Sequence, residues 1–277
     1  MTVVTQTVAS ETAGVAHPTA GADPLTATRI FTGRSLRHSL RDGESLLMAI
    51  LLPTMMMLLF TYVFGGAMST ELMGDRTGYL SYVVPAIVLT CAGFGASYTA
   101  VAVSRDMTTG TIDRLRTMPI VSATVLIGHS LASVARNLVA TTVVVGVAIA
   151  VGFRPATGVL SWLGAAAMIT AWILAITTVF ALIGLLAGSA EAASGYGFIL
   201  LFLPYASSGF APVETMPGWL QGFASHQPVT PVIETIRAFL TGQGPGTEVW
   251  VALAWCGGLI LIAGALIAWL FPRRGTR

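Results

Sequence analysis

Long apolar runs alternate with short polar ones along this chain, and the apolar runs set its architecture. Six of them, at 46–64, 79–103, 121–153, 160–187, 192–210 and 250–271, are each long enough to cross a hydrocarbon layer of about 30 Å at about 1.5 Å per residue. The pattern predicts an all-α integral membrane protein with six transmembrane helices. Pro53 inside the first run does not stop it, because neighbouring helices can satisfy the carbonyl that a proline leaves without a donor. Tyr79 and Tyr82 open the second run as interface aromatics. The third is longer than one span needs and is interrupted by Arg136-Asn137, which puts the Arg136 head about one turn inside the interface, able to snorkel to water. Gly184-x-x-x-Gly188 near the end of the fourth permits close helix approach, although glycine is plentiful throughout the chain.

Between the second and third runs sits a short charged island, S-R-D-M-T-T-G-T-I-D-R-L-R-T-M-P-I, at 104–120. After Gly110, residues Ile112, Leu115 and Met118 recur at a spacing of three and form one apolar stripe if 111–118 is helical. Thr109 or Thr111 can cap that helix, Asp113 suits the positive end of its dipole, and Pro119 stops it. The product is a two-turn helix with a greasy edge and a charged face of Asp113, Arg114 and Arg116. Tethered at both ends to spans, it has the shape of something that sits in a groove of a partner protein.

A second non-spanning region lies at 211–242. Trp219, Leu220 and Phe223 make one short apolar piece. Thr230-Pro231 starts another, as cap and first-turn proline, with Val232, Ile236 and Leu240 on one face and Gly242 as its stop. Pro217, Pro228, Pro231 and Gly242 cut the region into pieces far shorter than a span, yet it is too apolar for a water-bathed loop. The expected form is an external re-entrant helical hairpin. Trp219 then lies near the headgroups, Val232, Ile236 and Leu240 lie against the fifth and sixth spans, and Glu234 and Arg237 face the external mouth as a gate.

Ahead of the spans, 1–24 reads as a disordered cytoplasmic tail without the features of a signal peptide. Residues 25–44 read as an amphipathic interfacial helix that turns Arg34, Arg37 and Arg41 toward lipid headgroups. The arginines cluster before the first span, in the island, and in the tail 273–277, while Arg76, Arg154 and Arg237 stand singly in the alternate loops. That bias puts both termini and the island in the cytoplasm of a multi-pass plasma-membrane protein.

Composition sharpens this. The chain is 55% hydrophobic and 9% charged, against about 25% charged in soluble domains, and its net charge of +2 gives no reason to expect nucleic acid as a partner. Every basic residue is arginine, so a phosphate-binding G-x-x-x-x-G-K-[ST] loop and a Schiff-base lysine are both impossible here. No carboxylate falls well inside a run, which disfavours a proton-coupled carrier. Cys91 and Cys256 lie in apolar runs and read as small buried hydrophobes. Ser207-Ser208 and His226 invite a check for hydrolase chemistry, but nothing orients that histidine, and His129 has no second metal ligand at helical spacing. No catalytic or metal-binding residue is expected.

The island motif D-M-x-x-G-x-I-D-R-L-R-x-M-P-I at 106–120 resembles the cytoplasmic loop of type 2 ABC-exporter permeases, above all the daunorubicin-resistance branch. The segment F-A-P-V-E-T-M-P-G-W-L-Q at 210–221, continuing through Gln227-Pro228-Val229-Thr230 to Ile236-Arg237, resembles the part of the same family before its last span. Gln227 departs from the asparagine more frequent there. The resemblance covers about 29–273 and implies six helices in a permease domain at 45–272, two protomers per pore, and two ATPase subunits below. It also implies that the helix at 111–118 docks in the ATPase as a coupling helix. ATP and Mg would then be bound by the partner subunit and no cofactor by this chain; the lack of lysine independently supports hydrolysis of ATP by another chain.

The reading is the membrane subunit of an ATP-driven exporter that moves a hydrophobic drug or lipid-like compound outward, along a groove formed by the first, second and fifth spans of facing protomers. A polytopic membrane enzyme acting on a lipid-linked substrate is the alternative, and a scaffold without transport comes third.

Overall fold

The computed structural model describes residues 43–65, 76–109, 123–155, 157–244, 246–271 and 273. The expected interfacial helix with Arg34, Arg37 and Arg41, and residues 110–122, which hold the island from Gly110 onward, lie outside the described residues.

Helix α1 (Gly43–Leu59) runs through Pro53 and ends in a wider π turn, Phe60–Phe64. Helix α2 (Arg76–Thr108) is 33 residues long, a rise of roughly 50 Å. It is followed by α3 (Ala123–Val151), α4 (Val159–Leu186) and a shorter α5 (Ala190–Leu201). Two small helices, α6 (Gly218–His226) and α7 (Val229–Thr241), precede α8 (Glu248–Leu270). No strand occurs among the described residues. Five of these helices are long and apolar enough to cross a membrane: α1 with its π turn, α2, α3, α4 and α8.

Helix α2 is the axis of the bundle and packs against α1, α3, α4, α5 and α7. Its sequence explains this. Ala86, Ala92, Ala96 and Ala100, together with Gly93 and Gly95, give it a narrow surface, and neighbours close on it until Leu80, Val83, Ile87, Leu89 and Cys91 are fully buried. Helix α8 sits at the edge, on α4 and α7, and turns most of its surface outward. Its exposed Trp250 and Trp269 are separated by a rise of about 28 Å, the thickness of a hydrocarbon layer, and Arg273 lies over the Trp269 ring.

The structure departs from sequence expectation in several places. The fifth run is not one helix to residue 210, since α5 ends at Leu201 after 12 residues, a rise of about 18 Å. A 3-10 turn, Leu203–Ala206, and an irregular turn through Phe210 follow. Pro204 supplies the reason: it has no N–H and its ring crowds the carbonyl of Leu200. Arg136 does not snorkel to water. It is 8% exposed and donates from Nη2 to the Gly95 carbonyl at 3.1 Å. Of the two motif glycines, only Gly184 serves close approach, against the Ala100 backbone and Val103, while Gly188 has nothing within 4 Å.

Candidate functional site

The end of the bundle where α6 and α7 lie is built around the broken end of α5. Beyond Leu201 the backbone satisfies itself only in part, through the 3-10 turn, and side chains from other elements hold further carbonyls. Gln227, at the turn between α6 and α7, is buried, and its Nε2 donates to the carbonyls of Leu203 (3.2 Å) and Ala206 (2.5 Å). From the first turns of α2, Tyr82 Oη donates to Ser208 O at 2.7 Å and Tyr79 Oη to Phe210 O at 3.3 Å. Arg237 of α7 adds Nη2 bonds to Ser208 O (3.0 Å) and Tyr82 O (3.1 Å), and its Nη1 pairs with Glu234. Inside the turn, Ser207 Oγ donates to Pro204 O and accepts from the Gly209 N–H. Gly209 is where the backbone must pass between helices, since a Cβ there would lie 2.5 Å from Ala86 Cβ and 2.9 Å from Ile233 Cδ1.

A row of rings crosses the same region. It runs Phe64, Phe60, Phe210, Tyr205, Phe202, Phe198, with neighbouring centroids 4.7 to 6.2 Å apart. Tyr205 and Phe210 stack with 9° between their planes, and Phe60 brings the π turn of α1 onto Phe210. The irregular ends of α1 and α5 therefore touch through aromatic rings. Behind the break lies a cavity of about 20 Å³ walled by Gly93, Trp172, Phe180, Leu201 and Pro204.

The hairpin residues take the following places. Helix α7 buries Val232, Ile233 and Ile236 completely and Leu240 almost so, and Gly242 closes it with φ 75°. Its main partners are α4, α8 and α2, and it meets the fifth run beyond the end of α5, at the 3-10 turn and at Ser208 and Gly209, so the expected packing on the fifth and sixth spans is half corrected. Thr230 is no cap, for α7 begins at Val229 with Pro228 before it, and the Thr230 hydroxyl reaches back to Ala224 O. Trp219 is 81% exposed on α6, with Phe223 exposed one turn later. Glu234 and Arg237 line an open recess of about 410 Å³ with Thr241, Thr247 and Glu248. The Arg237 head nonetheless turns inward from that recess to the carbonyls of α2 and the α5 break, a direction the sequence did not suggest.

A second polar seam joins α2 to α3 in the half of α2 that leads to the island. Thr99 and Ser133 share a hydrogen bond, Arg136 reaches Gly95 O and lies over the Tyr98 ring, and Asn137 Nδ2 donates to Ala92 O at 3.4 Å. The Asn137 side chain occupies the space where any Cβ on Gly95 would go. The sequence flagged Arg136-Asn137 only as an interruption; its faint signal was a polar pair at one turn's distance from Ser133 in an apolar run.

Ser207 and His226 do not form a hydrolytic pair. Ser207 is committed to Pro204 O, and His226 is exposed, with Nδ1 against Gly222 O at 2.9 Å. Among the described residues no three His, Cys, Asp or Glu side chains gather as a metal site.

The chain is similar to named ABC transporter permease proteins over nearly its whole length. It is 29% identical over 259 residues to the daunorubicin resistance ABC transporter permease protein DrrB1 of Streptomyces coeruleorubidus, covering 93% of this chain and 90% of that one. It is also 29% identical over 253 residues to the probable doxorubicin resistance ABC transporter permease protein DrrC of Mycobacterium tuberculosis, covering 90% and 89%. The family model for the ABC-2 type transporter matches residues 26–241, which span the island, the polar seam and the hairpin. The chain therefore belongs to the ABC-2 type transporter family, as a multi-pass membrane permease subunit that is not itself an enzyme and works with a separate ATPase subunit.

Proposed function

We propose that this permease exports a hydrophobic drug or lipid-like compound from the inner leaflet to the exterior, driven by ATP hydrolysed on its partner. The observation that carries this reading is the end-to-end similarity to permeases named for daunorubicin and doxorubicin resistance. In this reading the N and C termini and the island face the cytoplasm, and the hairpin faces outside. Two protomers, each with an ATPase subunit, enclose the path, and α1, α2 and α5 line it. Residues Gly110, Thr111, Ile112, Asp113, Arg114, Leu115, Arg116, Met118 and Pro119 form the coupling element, with the stripe of Ile112, Leu115 and Met118 seated in the ATPase. Arg34, Arg37 and Arg41 anchor the interfacial segment to headgroups. Trp219, Pro228, Glu234 and Arg237 belong to the external gate. ATP and Mg stay on the partner, because a chain without lysine cannot build their usual cradle.

Transport then follows from differential stability of two states. Closure of the ATPase pair shifts the docked coupling element and favours the outward-facing arrangement of the spans. The competing reading, a membrane enzyme on a lipid-linked substrate, lacks a nucleophile–base pair in the Ser207–His226 region. Inside-out vesicles holding the permease and its ATPase should accumulate doxorubicin when ATP is added. Absence of ATP-dependent accumulation for doxorubicin and for other hydrophobic dyes would sink the exporter reading.

A further inference from the structure

We propose that the broken end of α5, Phe202 to Phe210, is the moving part of the external gate, operated by α2 through Tyr79 and Tyr82 and positioned by Gln227. The proposal rests on the exporter reading above and gives the moving role to a segment that the sequence reading took as the end of a regular span.

Four observations converge on this segment. First, the carbonyls of Leu203, Ala206, Ser208 and Phe210 are held by side chains of Gln227, Tyr82, Arg237 and Tyr79, all from other elements. A segment fastened by side chains can be released by a small displacement of its neighbours, without unwinding a helix. Second, the break meets the other irregular stretch of a span, the π turn of α1, through Phe60 and Phe210 at 4.7 Å. Local π geometry in a helix is frequent at working sites. Third, a small cavity of about 20 Å³ lies behind the break, so the segment is not fully close-packed on that side.

The fourth observation concerns α2. The helix that holds Ser208 and Phe210 at one end leads at its other end into the island. From Tyr82 to Thr108 it rises about 39 Å. The seam of Thr99 with Ser133, Gly95 with Arg136, and Ala92 with Asn137 braces it against α3, the helix that leaves the island. A shift of the island therefore moves both braced helices, and α2 carries the shift to the two tyrosine hydroxyls. Tyr79 and Tyr82 act on the gate through the α5 break, so they are positioning residues, as is Gln227.

The test uses the whole transporter, permease with its ATPase, in inside-out vesicles. The double variant Tyr79→Phe, Tyr82→Phe removes both hydroxyls and leaves the rings, including the one under Arg237. Loss of these two hydrogen bonds, one buried and one partly buried, should slow ATP-driven doxorubicin accumulation about tenfold and raise leak of preloaded doxorubicin without ATP by a similar factor. ATP hydrolysis should stay within about twofold of wild type, because the docking element is untouched. Gln227→Leu should behave alike, and Gln227→Asn, which keeps the amide on a shorter stem, should recover part of the loss. A cargo-independent reading comes from Ala206→Cys in a background with Cys91 and Cys256 replaced by Ala. With the complex in nanodiscs, where both faces are open to reagent and nucleotide, an impermeant maleimide should label it about tenfold faster with ATP and vanadate than without, and fast in both conditions once the tyrosine hydroxyls are gone. Equal labelling in every state, or transport and hydrolysis falling together with no added leak, would overturn the gate. State-dependent labelling in a wild type that moves no doxorubicin would instead count against the exporter reading and leave the gate assignment standing.

Discussion

The Arg237 guanidinium lies 3.7 Å from the centre of the Tyr82 ring, and its Nη2 also donates to the Tyr82 carbonyl, across 155 residues of sequence. One side chain thus makes a cation–π contact, a hydrogen bond to α2 and another to the α5 break at Ser208. Helix α7 is fastened to the bundle by this charge as well as by its apolar face.

Replacing Arg237 with Leu should therefore cost about 2–4 kcal/mol, since it abandons two carbonyl acceptors in a half-buried place. Arg237→Lys should recover less than half, because an ammonium cannot both stack on the ring and reach two carbonyls. Glu234→Gln, at a more exposed position spaced three residues away, should cost at most about 0.5 kcal/mol. Thermal unfolding of the purified permease in detergent should rank the variants in that order.

The glycines offer a sharper contrast. Gly95→Ala should fail to accumulate as folded protein, because its methyl would occupy the place of the Asn137 amide. Gly184→Ala should be nearly as damaging, since its methyl meets the Ala100 backbone, whereas Gly188→Ala meets open space and should be neutral within about 0.5 kcal/mol. Yield of monodisperse protein on size-exclusion chromatography separates the cases.

Helix α7 predicts another pair. Ile236→Glu places a carboxylate at a position with 0% exposure, a change worth several kcal/mol, and should abolish assembly. Thr247→Glu, at an exposed position just before α8, should leave expression and transport unchanged. Comparable damage from both would mean that α7 is not held as the structure has it.

For the island, Leu115→Asp should leave membrane insertion intact while preventing copurification with the ATPase, because it removes about 1.5–3 kcal/mol of burial and adds an unpaired charge. Arg114→Glu with Arg116→Glu should weaken the complex further in a salt-sensitive way. Wild-type transport by either variant would remove this segment from the coupling role.

Topology is checked by single cysteines at Thr108 and Gly244, in a background lacking Cys91 and Cys256. They should label from opposite sides of the membrane. Labelling of both from outside would overturn the proposed placement of island and hairpin.

What the sequence determined by itself was the part governed by local composition. Charge-free apolar length decides that a segment enters a membrane, and prolines with Gly242 decide that 211–242 cannot span one. The periodic Val232, Ile236 and Leu240 likewise announced a buried face before any neighbour was known. Only tertiary structure decided where α5 stops. Pro204 ends a helix wherever it sits, but the turn that follows is held because Gln227, Tyr79, Tyr82 and Arg237 arrive from distant parts of the chain to bond the carbonyls of Leu203, Ala206, Ser208 and Phe210. The same holds for Arg136, drawn inward by the Gly95 carbonyl where the span pattern alone would send it to water, and for Gly184, which matters while Gly188 does not. In an apolar medium every backbone polar group must find a partner, and the identity of that partner is a property of the assembled helices.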